Sequence, residues 1–304
     1  MDAKTEDFLC PQISKIEFVQ LLANAIDQKI GFSAGKAGFA EQALLRYTTI
    51  RTEPDSLKKR AYETLLKYHC DYMTGVFPST PAFINVFSEF LLKNIRELNV
   101  LGLMGGKNEG QLIKSLEIKT ALTHFQSMEP DRSIPERTSL CYLSQFEGKK
   151  ILLISPYAEF INTRANADIY DSVWRTSKKK WFNPSIIDCL NIPYSYVTAT
   201  DTHKTYYNSL ALYQTICGQI SDRDFDVALI GAGALGMPFA NYIKSLGKVG
   251  ISLGGHLQII FGVAGARWRR DPEWQKHFNT DWVDVPPSYH PKDKNNLTDQ
   301  GAYW

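Results

Sequence analysis

Five short apolar runs, separated mostly by helical stretches, constrain this chain more than any other feature. They are NVLGLM (99–104), KILLIS (150–155), YSYVTA (194–199), DVALIG (226–231) and KVGISL (248–253). Such strand–helix alternation predicts a mostly parallel sheet covered by helices, an α/β fold. Residues 1–98 have a different texture, with apolar positions at helical period. SKIEFVQLLANAI places Ile16, Val19, Leu22 and Ala23 on one stripe, with Ser14 as its cap. SLKKRAYETLLKYHCDYM and PAFINVFSEFLLKNI are further amphipathic helices. From residue 271 onward no period is visible. The expected organisation is a helical part over 1–98, an α/β core over 99–270, and an irregular tail over 271–304. Trp282 and Trp304 would anchor that tail to the core.

Composition narrows the class. A chain of 304 residues, 44% hydrophobic and 22% charged, can bury a large core as one large domain or two modest ones. A net charge of +2 gives no global argument for a nucleic-acid partner. Five cysteines, at 10, 70, 141, 189 and 217, show no C-x-x-C spacing and fit reduced thiols in a cytoplasmic setting. The opening MDAKTEDFLCPQIS lacks the plan of a secretory signal, and no apolar run is long enough to span a membrane.

In open α/β sheets, ligands bind beyond the carboxyl ends of the strands. Four such ends are suggestive here: GGKNEG after 99–104, SPYAEFINTR after 150–155, GAGALG after 226–231 and GGHLQ after 248–253. Glycine lets backbone approach a ligand, and a helix starting there aims N–H groups at an anion. Gly231, Gly233 and Gly236 satisfy G-x-G-x-x-G, but a dinucleotide site expects an acid about 20 residues later to hold the ribose. No Asp or Glu occurs from Met237 to Arg270. That absence argues against a nicotinamide cofactor. A P-loop and a zinc spacing are also absent. A methyltransferase remains an alternative, although its glycine corner usually follows the first strand.

Three stretches resemble the GT-D class of glycosyltransferase-like proteins of bacterial surface-polysaccharide synthesis. They are GKAGFAEQALLRY (35–47), KILLISPYAEFINTR (150–164) and the long segment from Asp224 to Trp268, which is the most specific; the closing GAYW is also similar. The resemblance implies a Rossmann-like sheet with a helical N-terminal part. It also implies transfer of a sugar from a nucleotide-sugar donor, UDP-linked on our reading, to a glycan acceptor. The family segment reads Arg-Phe-Gly-Asp-Gly-Glu. Here Lys36 takes the arginine's place, Gly38 matches, Phe39 replaces the aspartate and Glu41 matches. The family's acidic site suggests a divalent metal, Mn or Mg. Hard cations want several oxygen ligands, and a lone glutamate supplies too few.

The candidate catalytic residues are therefore Glu41, as general base or donor-orienting acid, and His256, which would steady the leaving diphosphate. Glu41 has a simpler account as an acid in the first turn of a helix. Candidate donor-binding residues are Lys36, Gly38, Ser155, Tyr157, Asn162, Arg164, Gly231, Gly233, Gly236, Gly254 and Gly255. Arg267, Arg269 and Arg270 could grip phosphate, and Tyr157 and Trp268 could stack on a sugar or base. Asp201 and His203 are weaker candidates. A noncatalytic nucleotide or sugar binder is the other alternative, with Phe39 in the acidic motif as its sign.

Overall fold

The computed structural model describes residues 11–106, 108–128, 141–292 and 298–304. Cys10 and Lys107, both part of the sequence reading, lie outside them. Seven strands form one sheet: β1 (Phe32–Lys36), β2 (Val100–Leu103), β3 (Ala121–His124), β4 (Lys150–Ser155), β5 (Ile186–Asn191), β6 (Val227–Ile230) and β7 (Val249–Ser252). Their order is β3-β2-β1-β7-β6-β4-β5, and every pairing is parallel. The fold is α/β and Rossmann-like. A small parallel pair, β8 (Val263–Ala264) and β9 (Val283–Asp284), stands apart.

Helices cover both faces. In chain order they begin with α1 (Lys15–Asp27), α2 (Phe39–Ile50), α3 (Leu57–His69), α4 (Pro81–Glu97) and α5 (Glu109–Ser115). Then follow α6 (Ala158–Thr163), α7 (Ala167–Val173), α8 (Thr200–Thr205), α9 (Ser209–Ser221) and α10 (Gly236–Ser245). The short α11 (His256–Ile260), α12 (Ala266–Arg269) and α13 (Pro272–Gln275) come last. Alternate strand residues point to opposite faces. Leu152, Ile154, Ala228 and Ile230 join one core with Leu44 of α2, Phe87 of α4, Ile216 of α9 and Phe239 of α10. Ile151, Leu153, Val227 and Leu229 join the other with Phe18 of α1, Ile161 of α6 and Ile259 of α11.

This arrangement creates the crevice. From β1 and β6 the chain leaves toward the first core, through α2 and α10. From β4 and β7 it leaves toward the second, through α6 and α11. Neighbouring strands whose connections diverge leave a gap at their carboxyl ends, where such sheets bind ligands.

Sequence expectation and structure differ at several elements. Ser14 does cap α1, in a capping box with Glu17. The buried stripe, however, is Phe18, Val19, Leu22 and Ala25, and Ile16 is 52% exposed. The run 194–199 is not a strand: Pro193 follows β5, which lies upstream, and the tyrosines turn instead toward the crevice. The helical part over 1–98 contains β1, which sits between β2 and β7 in the middle of the sheet. No helix among the described residues is long and apolar enough to cross a membrane.

Helix α10 sits unusually close to β7. A Cβ at Gly250 would fall 2.7 Å from the Ala240 Cα and 2.8 Å from its carbonyl oxygen, both backbone atoms that cannot swing aside. Gly250→Ala is therefore expected to destabilise the fold by about 1–3 kcal/mol, the cost of overpacking a tight core. A lower urea midpoint with an unchanged m-value would show it; an unmoved midpoint would show that the helix can retreat freely.

Candidate functional site

The sequence-predicted residues mostly converge. Lys36, Gly38, Glu41, Ser155, Tyr157, Gly231, Gly233, Gly254, Gly255 and His256 line one cavity of about 480 Å³ at the carboxyl ends of β1, β4, β6 and β7. That size suits a small-molecule site. Three predicted residues stand elsewhere. The Asn162 amide faces the Cys189 sulfur at 3.9 Å. Arg164 donates to the carbonyls of Phe261 (3.0 Å) and Asp281 (2.6 Å), so its guanidinium clamps backbone. Gly236 starts α10, and a Cβ there would fall 2.4 Å from the Ser252 hydroxyl. It serves helix–strand packing. Of the weaker candidates, Arg267, Trp268 and Arg270 line the cavity. Asp201 pairs with Lys292 at the surface, His203 stacks on Phe77, and Arg269 pairs with Asp284.

Lys36 ends β1 and bonds the ring Nδ1 of His256, which opens α11 beyond β7. A lysine ammonium only donates, so Nδ1 accepts and the neutral ring carries its proton on Nε2. The Lys36 ammonium also lies 5.4 Å from the centre of the Phe125 ring. Beside these, Arg267 and Arg270 bring further positive charge to the wall.

Glu41 is the third residue of α2, after the cap residue Gly38. Its carboxylate turns back to accept from the N–H groups of Gly38 and of Glu41 itself. A Cβ at Gly38 would lie 2.7 Å from the Glu41 Oε2, so the missing side chain makes room for this turn. This is the geometry of a helix-start acid. Desolvation by the cavity walls nevertheless pushes its carboxyl up, against those backbone bonds and the charges of Arg267 and Lys36.

Sequence reading missed Asp299. It lies in the 3-10 turn Thr298–Gly301 of the C-terminal segment and lines the same cavity. Its Oδ2 accepts from the Tyr196 hydroxyl at 2.7 Å. Burial pushes its carboxyl up to about 7; Glu41 adds to the rise, while Tyr196 and Arg267 oppose it. Nothing local in the aperiodic tail marks Asp299, although Trp304 and the resemblance of GAYW drew attention to that end. Tyr194, Tyr196, Tyr303 and Trp304 supply an aromatic wall.

The C-terminal segment is seated by Gln258. Its amide donates to the carbonyls of Val263 (3.2 Å), Ala264 (3.0 Å) and Tyr303 (3.2 Å), and its Oε1 accepts from the Tyr157 hydroxyl (2.5 Å). Gly255 carries no side chain because a Cβ there would meet the Tyr303 ring at 2.1 Å. The LGGH corner thus holds the tail as much as it faces the cavity.

The residues do not suit a divalent cation. Of the three carboxylates that line the cavity, Asp271 accepts from the Glu273 N–H, and Glu41 and Asp299 stand with Lys36 and Arg267 near them, whereas hard cations need more oxygens and fewer cations around them. Among the described residues no three His, Cys, Asp or Glu side chains form a metal-holding group. The chemistry on offer is anion binding by basic groups and glycine corners, with two desolvated acids and an aromatic wall. Comparison with known families, curated proteins and solved structures gives no match to this chain.

The raised Asp299 carboxyl has a consequence for stability. Its ordinary value is 3.8, and its folded value is about 7. Between them the folded chain keeps a proton that the unfolded chain loses, so stability falls as pH rises through that window. Asp299→Asn, which can still accept from Tyr196, is expected to raise Tm by a few degrees at pH 8. Below the ordinary value of 3.8 it should change nothing. A Tm difference independent of pH would contradict this.

Proposed function

We propose that the chain is a glycosyltransferase, moving a sugar from a nucleotide-sugar donor, UDP-linked, to a hydroxyl of a glycan acceptor. One observation carries the reading. Lys36, His256, Arg267 and Arg270 meet the glycine corners 231–233 and 254–255 around a single cavity with an aromatic wall. That combination favours a ligand with a diphosphate and flat or sugar rings. The strand after the G-x-G-x-x-G corner, β7, ends on Ser252 and carries no acid for a nicotinamide ribose.

In this reading the diphosphate lies over the two glycine corners. As the bond from the sugar to the diphosphate breaks, negative charge grows on the departing nucleotide. Lys36, positioned by the His256 ring, and Arg267 stabilise that charge in a desolvated site, where such interactions count for most. Glu41, fixed at the start of α2, orients the donor. The tyrosines and Trp304 provide stacking surface for base and sugar.

Thermal shift with UDP, UDP-sugars, NAD and S-adenosylmethionine tests the reading, since a ligand of the native state raises Tm by mass action. UDP is expected to stabilise the protein by about 2.7 kcal/mol at 100 times its Kd, and NAD to have no effect. Lys36→Ala should remove most of the UDP response, and the parent should release UDP from a matching donor. Stabilisation by S-adenosylmethionine alone would favour a methyltransferase. UDP binding without cleavage of any donor would favour a noncatalytic binder.

A further inference from the structure

We propose that Asp299, carried into the cleft by the C-terminal segment, is the catalytic base that takes the proton from the attacking hydroxyl. The proposal rests on the transferase reading above.

The segment is a built part of the cleft. Tyr303 is held through its carbonyl by Gln258, and Ala302 accepts from the Arg267 N–H at 3.1 Å. Gly265 lets the chain pass: a Cβ there would fall 2.7 Å from the Tyr303 carbonyl carbon. With Gly255 against the Tyr303 ring, two glycines from separate elements clear a path for the same residue. The 3-10 turn Thr298–Gly301 also packs on the π-helical turn Cys70–Thr74, whose Met73 and Thr74 line the same cavity.

Asp299 is held as a base would be held. Its backbone is left-handed, with φ of 47°, a conformation that aspartate tolerates better than most residues. Tyr196 fixes one carboxylate oxygen. The other has no hydrogen bond among the described residues, and the side chain lines the cavity. Glu41 differs, because its carboxylate is engaged by two N–H groups of its own helix start. Of the two acids, Asp299 is the one whose lone pair faces the cavity without a backbone partner.

The step balances simply. The acceptor hydroxyl oxygen forms the new bond to the anomeric carbon. The bond from that carbon to the diphosphate oxygen breaks, and its electron pair leaves with UDP. The hydroxyl proton passes to the Asp299 carboxylate. A base is most effective when its pKa lies near the working pH, and burial places this carboxyl at about 7. The charged and titratable groups around it are Glu41, Arg267, Tyr194, Tyr196 and Tyr303. Cys70 and Asp71 stand on the packed turn, with Asp71 paired to Lys67.

The test uses the full chain, UDP binding and UDP release from the donor that binds. Asp299→Asn, which matches the protonated acid that anion binding favours, is expected to bind UDP at least as tightly as the parent and to lose about 10²-fold or more in turnover, the scale for removing a general base. Parent turnover should rise with pH through about 7, and the residual rate of the variant should lack that inflection. Tyr196→Phe is the second variant. It removes a bond that holds the Asp299 pKa down, so the inflection should move to higher pH. Asp299→Asn with parental turnover, or Glu41→Gln showing the loss in its place, would overturn the assignment and leave the transferase reading intact. If the parent binds no UDP, or binds it and cleaves no donor, both fall.

Discussion

A buried polar pin holds the middle of this sheet. The Ser33 hydroxyl on β1 donates to the Asn241 side-chain oxygen on α10 at 2.7 Å. The Asn241 amide in turn donates to the carbonyl of Asn94 on α4. Leaving one of these groups unpaired would cost about 1–3 kcal/mol in desolvation, so the three elements keep one relative position. That position sets the register of β1 against β7, with Gly35 opposite Ser252. Lys36 follows directly, and the chain beyond Ser252 turns at Leu253–Gly255 to present His256. A slip of one residue would turn Lys36 to the other face of the sheet and separate it from His256.

The second constraint is closure by the C-terminal region. Sheets of this kind leave their carboxyl-end crevice open, and here chain remote in sequence covers it. Trp174 and Trp282 donate to the carbonyls of Ile260 and Val173, and both rings are buried in the second core. Arg164 reaches the carbonyl of Asp281. These bonds fix the path to β9. Gln258 and the two glycines under Tyr303 fix the end of the chain. Arg164, read from sequence as a donor ligand, therefore contributes to the site at one remove: it holds the chain that carries Asp299 and the aromatic wall.

Legibility followed local chemistry. β4 and β6 are runs dominated by Ile, Leu and Val and bounded by turns, and a strand rule finds them. β1 reads FSAGK, with one large apolar residue, because α10 packs so closely that small residues are required: a Cβ at Gly35 would meet the Met237 side chain at 2.7 Å. Its strand character comes from two parallel neighbours, which no local window contains. Conversely, YSYVTA has high β-propensity, but its tyrosines are spent on the cavity wall. The glycine corners and the Lys36–Glu41 segment were legible because each lies within a single strand-to-helix turn. Asp299 was not, since its meaning depends on Tyr196, Arg267 and Glu41, all distant in sequence.

The charge arrangement links these points. Three acids, Glu41, Asp271 and Asp299, line the cavity with Lys36, Arg267 and Arg270. With the Asp299 carboxyl near 7, the cavity carries more positive than negative charge at neutral pH. A diphosphate placed there adds negative charge beside Asp299 and pushes its carboxyl further up. Anion binding is thus linked to proton uptake at the group that must be deprotonated to act as a base. Binding favours lower pH, and proton abstraction favours higher pH. Arg267 moderates the conflict because its charge opposes the rise at Asp299 while it faces the same cavity as the ligand. On the transferase reading, this opposition places the fastest turnover at a pH above the value for ligand-free Asp299, with affinity declining as the rate rises.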